Sequence, residues 1–199
     1  MPSRMTEDKL VSGVPRAVKS RKGVMKRISY RESCLRLQAL GFLDGNEPPK
    51  MPVRMPRYDD GEPWGVSFFR TKVAGDDLSN LTLPRTYFGR SEISHVSFQN
   101  ADLTESNLCW NDFTDVDFSA ATLARCDLRS SQFDRVKFIG ADLRAADMRH
   151  SWFNACIFDD AMMDGAVLTR AQATRMAISE VQAAVIDWRD QAGPEPDGG

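Results

Sequence analysis

The sequence holds few of the residues that usually carry enzyme chemistry. Its 199 residues include two histidines, three tyrosines and four cysteines. Cys34, Cys109, Cys126 and Cys156 lie far apart without a CxxC pair, so they indicate neither a zinc site nor a disulfide framework. No apolar run approaches the roughly 20 residues that a membrane span needs, and the N-terminal stretch has no apolar core of the signal-peptide kind. We therefore expect a reduced, cytoplasmic protein that binds no metal, no cofactor and no membrane.

Charge is unevenly distributed, although the formal net charge is only −2. Residues 1–75 hold 15 Lys and Arg against 8 Asp and Glu, residues 76–170 hold 9 against 15, and residues 171–199 hold 2 against 5. A basic leader thus precedes an acidic body. Such a leader can contact nucleic acid, but it is more often a solvated or tethering segment, so we expect no direct nucleic-acid binding.

A five-residue period runs through the middle of the chain. From residue 76 to residue 170 the sequence divides into nineteen five-residue blocks without an insertion, each centred on a large apolar residue. A period of five fits neither a 3.6-residue helix nor an alternating strand, so it predicts a chain that turns a corner every five residues. The centres are Leu78, Leu83, Phe88, Ile93, Phe98, Leu103, Leu108, Phe113, Phe118, Leu123, Leu128, Phe133, Phe138, Leu143, Met148, Phe153, Phe158, Met163 and Leu168.

The same residue types also recur every twenty positions. Phe98, Phe118, Phe138 and Phe158 form one such column, so one coil contains four blocks and has four sides. In a solenoid each level contacts only its neighbours, and stacking like residues fills the core. With about 4.8 Å between adjacent strands, five coils make a rod of roughly 25 Å.

This pattern resembles the pentapeptide-repeat family, whose consensus is A(D/N)LXX. The Ala-Asp-Leu segments at 101–103 and 141–143 match the consensus directly, and looser matches place the first coil near residue 66. The resemblance implies an all-β solenoid, a right-handed quadrilateral β-helix of about five coils over residues 66–170. The twenty-residue columns support its four sides independently.

Both ends of such a rod need caps, because the open ends expose apolar surface and unpaired backbone. After residue 170 the spacing of Ile178, Val181, Val185 and Trp188 predicts one C-terminal capping α-helix over residues 171–190, followed by a flexible tail, 191–199. The outward residues of the last coil look like a seat for that helix or for a second copy of the protein, which would form a homodimer through the C-terminal end. They are Ile157, Met162 and Val167.

Residues 1–65 are predicted to form a mostly irregular, basic N-terminal extension. Residues 31–43 can form a short helix, and five prolines make residues 46–65 an extended or turning strap. We expect this strap to pack on a side or an end of the rod.

The chain offers little that could act as a catalytic site. His95, Asp115 and Arg135 fall in one outward column, but no nucleophile stands beside them, so the column indicates a surface charge ladder. No phosphate-binding loop is present, and a gap-free β-helix offers flat walls rather than a cleft. We therefore expect no catalytic residues and no enzyme activity.

Two outward tryptophans mark the candidate partner-binding site. Trp110 falls at a corner, and Trp152 on the wall that also carries Asp112 and Asp115. Exposed tryptophan is typical of binding hot spots, although the strap could instead cover both rings. The acidic residues nearby are Asp102, Glu105, Asp112, Asp115 and Asp117.

The resemblance leaves three functions open. Pentapeptide-repeat proteins of the quinolone-protection type imitate DNA and bind gyrase, but they need a long and nearly continuous acidic face. Here the rod is short and arginines interrupt the acidic columns. Members of the family also occur beside bacterial toxins, and a mixed wall of Trp, Asp and Arg suits one specific partner. We favour an immunity protein that blocks a toxin, with a nuclease among the candidates, over the gyrase-binding hypothesis and over a plain scaffold.

Overall fold

The computed structural model describes residues 26–45, 47–59 and 65–190. The predictions for the basic leader before residue 26 and for the tail of 191–199 lie outside the described residues. Within them the chain forms a β-solenoid of about six turns with parallel strands. The fold predicted from the five- and twenty-residue periods is confirmed, with one turn more than expected.

Each turn has four sides of five residues. In the first turn residues 66–70 form side 1, 71–75 side 2, 76–80 side 3 and 81–85 side 4, and this order repeats every twenty residues. Side 2 carries a five-stranded parallel sheet, and the other sides are joined by single parallel bridges, apart from one two-stranded pair at the C-terminal end. The strands of side 2 are β1 (Lys72–Ala74), β2 (Glu92–Ser94), β3 (Asp112–Thr114), β4 (Gln132–Asp134) and β5 (Trp152–Asn154).

Stacked phenylalanines fill the core of the rod. On side 3 the rings of Phe98, Phe118, Phe138 and Phe158 lie 5.0–5.5 Å apart between centroids and 8–12° from parallel. Side 2 has a similar column, with ring centroids 5.0–5.1 Å apart. Such contacts add about 0.5–1.5 kcal/mol per pair beyond the burial itself. All nineteen predicted centres are at most 3% exposed.

The corners are made by residues in the left-handed backbone region. Among the described residues, all seventeen non-glycine residues with positive φ stand at positions divisible by five, which is the last residue of a side. At most corners outside side 2 the turn also closes with a hydrogen bond, as when the Ala101 N–H donates to the Phe98 carbonyl at 3.0 Å. Positive φ at the third residue of a hydrogen-bonded turn is the type II pattern. The corner side chains therefore point away from the core, and Trp110 (φ 59°) is one of them.

Helix α1 (Tyr30–Ala39) closes the first turn. It begins with a capping box, in which the Ser29 hydroxyl accepts from the Glu32 N–H while the Glu32 carboxylate accepts from the Ser29 N–H. Cys34 and Leu37 are fully buried in the common core. The sequence predicts a short helix within residues 31–43, and the structure has one at Tyr30–Ala39; its position as a cap was not predicted.

The C-terminal end is closed by two short helices rather than by one. Strands β6 (Val167–Leu168) and β7 (Asp187–Trp188) pair in parallel on side 1. Between them α2 (Arg170–Ala173) and α3 (Glu180–Val185) replace sides 2 and 4 of the last turn. The prediction of a single helix over residues 171–190 is therefore wrong.

Two of the four apolar residues that suggest one helix are in fact solenoid positions, and the other two lie in α3. Ile178 and Trp188 lie ten residues apart, which is two sides, and both pack against the core as further repeat centres. Val181 is 78% exposed and supports no helix–rod interface. In the predicted seat, Ile157 and Met162 are 37% and 43% exposed, and a second copy on this surface stays a prediction. No helix in the described part of the chain has the length and apolarity to cross a membrane.

Candidate functional site

Trp110 and Trp152 line one shallow cleft, although they are 42 residues apart in sequence. Trp110 stands at the corner between sides 1 and 2 and is 65% exposed, and Trp152 begins β5 and is 41% exposed. The cleft has a volume of about 560 Å³, and its other lining residues are Ser130, Ser131, Gln132 and His150. The two predicted anchors are thus brought together by the stacking of three turns.

A buried polar ladder fixes the backbone behind this cleft. The Asn111 N–H donates to the Ser131 hydroxyl and the Ser131 N–H to the Ser151 hydroxyl, each at 3.0 Å. The Ser131 hydroxyl in turn donates to the Leu108 carbonyl at 2.8 Å. Buried backbone N–H groups at this corner are satisfied by side chains of the next turn. The residues that carry the two indoles therefore sit on a rigid frame.

The two predicted carboxylates differ in their surroundings. Asp115 accepts two hydrogen bonds from the Arg135 guanidinium, both at 2.7 Å, and these hold the pKa of its carboxyl below the usual range. Its other neighbour is His95, 3.6 Å away. Asp112 is exposed and pairs in register with Gln132 of the cleft. Within the described residues Asp112 takes part in no ion pair, so it is the open carboxylate of this wall.

The predicted acidic patch is not one patch. Neighbours in sequence fall on different sides, so Asp102 and Glu105 lie on side 4, Asp117 on side 3, and only Asp112 and Asp115 on side 2. Glu105 is held between two arginines, with its oxygens 2.8 Å from Arg85 and 2.9 Å from Arg125. Those pairs lower the pKa of the Glu105 carboxyl. The acidity that the sequence suggests is largely neutralised within the chain.

The described part of the strap leaves the cleft open. Residues 47–59 cross side 1, where Arg85 donates to the Pro52 carbonyl at 3.2 Å and the Asn107 amide to the Pro56 carbonyl at 3.0 Å. Both contacts lie on the first three turns. The alternative in which the strap covers both tryptophans is not what the described residues show, because Trp110 and Trp152 stay 65% and 41% exposed.

Comparison with known proteins fits this geometry. The family model for pentapeptide repeats matches in eight copies, at residues 77–108, 112–149 and 141–175. The chain belongs to the pentapeptide-repeat family. A search of curated proteins gave no match.

Several solved structures are similar to this chain at low sequence identity. A pentapeptide-repeat protein from the Arabidopsis thaliana thylakoid lumen is 21% identical, with 60% of this chain and 79% of that chain covered and a TM-score of 0.42. The pentapeptide-repeat protein Rfr23 from the cyanobacterium Cyanothece 51142 is 14% identical, covering 52% and 84%, with a TM-score of 0.35. QnrB1, a plasmid-mediated fluoroquinolone resistance protein, is 13% identical, covering 49% and 70%, with a TM-score of 0.33.

The pentapeptide-repeat rod also carries a larger groove on side 1, which the sequence analysis missed. It has a volume of about 1230 Å³ and runs between the strap and the surface of side 1. Trp110 and His150 lie at its border. Two of its arginines, Arg129 and Arg149, are held in forked pairs by the aspartates two residues earlier in the chain. The available signal was the recurring Asp-x-Arg spacing, at 127/129, 147/149 and 187/189. The arginines of the groove are Arg57, Arg90, Arg125, Arg129, Arg149 and Arg189.

Apart from Asp112, burial or ion pairs hold the titratable groups that the sequence singles out beside the cleft. Among the described residues no three His, Cys, Asp or Glu are grouped so that they could hold a metal ion. Burial raises the pKa of the Cys109 thiol to about 11, so little nucleophilic thiolate forms near neutral pH. The His95 column is the ion-paired ladder that the sequence predicts.

Proposed function

We propose that this protein is a non-enzymatic inhibitor that binds one protein partner through side 2, around the cleft between Trp110 and Trp152. The observation that carries the proposal is the pair of exposed indoles, one at a corner and one at the start of β5, that line the same cleft. Tryptophan is strongly enriched among binding hot spots, and large exposed rings are costly unless a partner covers them. A preorganised wall also loses little conformational entropy on binding.

The partner that best suits this wall is a bacterial toxin, which the protein would neutralise by covering its functional surface. The mixed set of indoles, one open carboxylate and paired charges favours a single complementary partner over a generic charged surface. The cytoplasm, where an immunity protein meets its toxin, also suits four cysteines that are all free thiols.

Imitation of DNA is less well supported. A DNA mimic needs an extended face of unpaired carboxylates, whereas here Glu105 and Asp115 are bound by arginines of the same columns. The gyrase-binding hypothesis predicts inhibition of supercoiling by the wild-type protein, with losses spread over many carboxylates.

The test is growth rescue with matched variants. The protein is co-expressed with each candidate toxin found by inspecting the neighbouring genes, and growth is compared for wild type, Trp110→Ala, Trp152→Ala and the distant control Val181→Ala. We expect rescue by wild type and Val181→Ala but not by the tryptophan variants, each of which should lose about 2 kcal/mol of binding. Rescue by wild type and all three variants would place the interface elsewhere. Inhibition of gyrase supercoiling without growth rescue would support the gyrase-binding hypothesis instead.

A further inference from the structure

We infer that the cleft between Trp110 and Trp152 binds an arginine side chain of a basic partner, with Asp112 as the counter-ion. This inference rests on the proposed function, because it specifies the chemistry that the same wall recognises. It combines three observations, namely two indoles without an internal partner, a carboxylate without an ion pair, and a cleft lining that contains no Lys or Arg.

The two indoles of the cleft differ from that of Trp188, which has both an acceptor for its N–H and a cation over its ring. Trp188 donates its indole N–H to the Ala183 carbonyl at 3.1 Å, and the Arg170 guanidinium lies 5.2 Å from its ring centroid. In the part of the chain that the structure covers, Trp110 and Trp152 have neither an N–H acceptor nor a cation over the ring. The fold itself thus pairs one tryptophan with arginine and leaves two ring faces for an external cation.

The open carboxylate lies one strand from Gln132, which belongs to the cleft lining. Asp112 follows Trp110 by two residues and is in register with Gln132, one strand away, about 4.8 Å. The other carboxylates of the wall are already paired, Glu92 with Lys72 and Asp134 with Arg135. Asp112 is therefore the acceptor that remains for an incoming cation.

Arginine fits this combination better than other side chains. Its planar guanidinium stacks on an aromatic face and still donates through its edge to a carboxylate, whereas an ammonium is a strongly hydrated point charge. The cleft lining contains no Lys or Arg that would repel it, and Gln132 and Ser130 supply further polar contacts. The groove across the Trp110 corner, by contrast, is lined by six arginines and would repel a basic segment.

The experiment uses short peptides that differ in one group. The ¹⁵N-labelled full chain is titrated with acetyl-Gly-Arg-Gly-amide, with its citrulline analogue (a neutral isostere of arginine) and with its leucine analogue. The indole N–H signals are assigned from Trp110→Phe and Trp152→Phe, and Trp188 serves as the internal control. We expect the arginine peptide to shift both cleft indoles saturably, and the citrulline peptide to bind roughly fivefold more weakly because it lacks the charge. Asp112→Asn should weaken the arginine peptide alone.

Three results would overturn the inference. Equal binding of the arginine and leucine peptides would make the cleft an apolar socket, and equal binding of the arginine and citrulline peptides would exclude a role for charge. No shift at either indole would exclude the site. This outcome is separate from that of the growth-rescue test. If Trp110→Ala loses rescue but the wild-type protein does not bind the arginine peptide, only this inference is refuted. If the wild-type protein binds the arginine peptide but Trp110→Ala still rescues growth, the proposed interface is refuted.

Discussion

Gln182 repeats, ten residues later and on the opposite side of the rod, the interactions of Gln172. Each side chain accepts from the N–H of the helix N-cap residue, Thr169 or Ser179, and completes a capping box. The Gln172 amide also donates to the Met148 and Ser151 carbonyls at 2.7 and 2.9 Å, and the Gln182 amide to the equivalent carbonyls at 2.7 and 3.0 Å. In each pair the two carbonyls belong to residues 24 and 21 positions before the glutamine, in the preceding turn of the rod. The glutamine amide therefore takes the place of the backbone N–H that the next strand would have supplied.

Replacing either glutamine with glutamate should weaken the cap. Gln172→Glu and Gln182→Glu each keep the capping acceptor but remove the amide that donates twice. The Met148 and Phe158 carbonyls retain a backbone N–H donor, whereas the Ser151 or Ala161 carbonyl loses the donor described here, at a cost of about 1–3 kcal/mol. Urea unfolding of each variant measures the loss of stability. Val53→Glu, at a position that is 84% exposed, controls for the added carboxylate. Unchanged midpoints in both cap variants would contradict the assigned role of the amides.

Phe118→Ala should destabilise the rod by about 3–5 kcal/mol, because it leaves a cavity within a stack that has little room to collapse. Phe118 contacts Phe98 and Phe138, with ring centroids 5.1 and 5.5 Å apart, and is fully buried. Ile139→Ala is a suitable control, since that residue is 37% exposed. Thermal unfolding followed by circular dichroism compares the two. An equal decrease of the melting temperature in Phe118→Ala and Ile139→Ala would be inconsistent with the stacked core.

Stability should fall in acid, through carboxylates whose folded pKa is depressed. The Arg144 side chain, by hydrogen bonding, lowers the pKa of the Asp142 carboxyl below its usual value. A depressed folded pKa contributes stability that is present above the unfolded value, about 3.9, and is lost as pH falls through the folded one. Asp142→Asn should therefore lose less stability than wild type between neutral pH and about pH 3. If the free energies of unfolding of wild type and Asp142→Asn fell by the same amount over this pH range, Asp142 would not contribute to the acid sensitivity.

The two predicted carboxylates should respond differently to charge reversal. Asp112→Lys should slow association with a basic partner and reduce its salt dependence, because this charge is unpaired. Asp115→Lys should instead lower the free energy of unfolding, since it places a second cation beside Arg135, which now binds Asp115 at 2.7 Å. Stopped-flow association at two salt concentrations and urea unfolding separate the effects. If Asp115→Lys alone slowed association, the assignment of the open carboxylate would be reversed.

The sequence predicted the regular part of the fold well, and the reason is physical. Each turn repeats the contacts of the one before it, so the large residue needed at each centre reappears every five positions. The C-terminal turn was misread because Ala173 and Ala183 stand at the centres where α2 and α3 run. The signal that would have identified those helices was the pair of capping boxes, Thr-x-x-Gln at 169–172 and Ser-x-x-Gln at 179–182.

The candidate site was predictable only in part. The five-residue register identifies which side chains point outward, and it placed Trp110 and Trp152 on neighbouring surfaces. The twenty-residue columns also place Asp115 between His95 and Arg135, but they give no distances. The structure adds that Arg135 binds Asp115 and that Asp112 has no ion pair among the described residues. The groove on side 1 depends on where the strap lies, and no periodicity in residues 46–65 specifies that position.

The twenty-residue offset between neighbouring strands makes the Trp110–Trp152 surface discontinuous in sequence. Residues that touch across side 2, such as Gln132 and Trp152, come from successive turns, while residues adjacent in the chain point around the rod. No linear peptide cut from this protein can therefore reproduce the surface, and an antibody raised against such a peptide would not compete with a partner bound there. A fragment that ends before β5 would retain Trp110 but lack Trp152, which forms the other side of the cleft. The smallest unit able to present both tryptophans is therefore a stack of at least three consecutive turns.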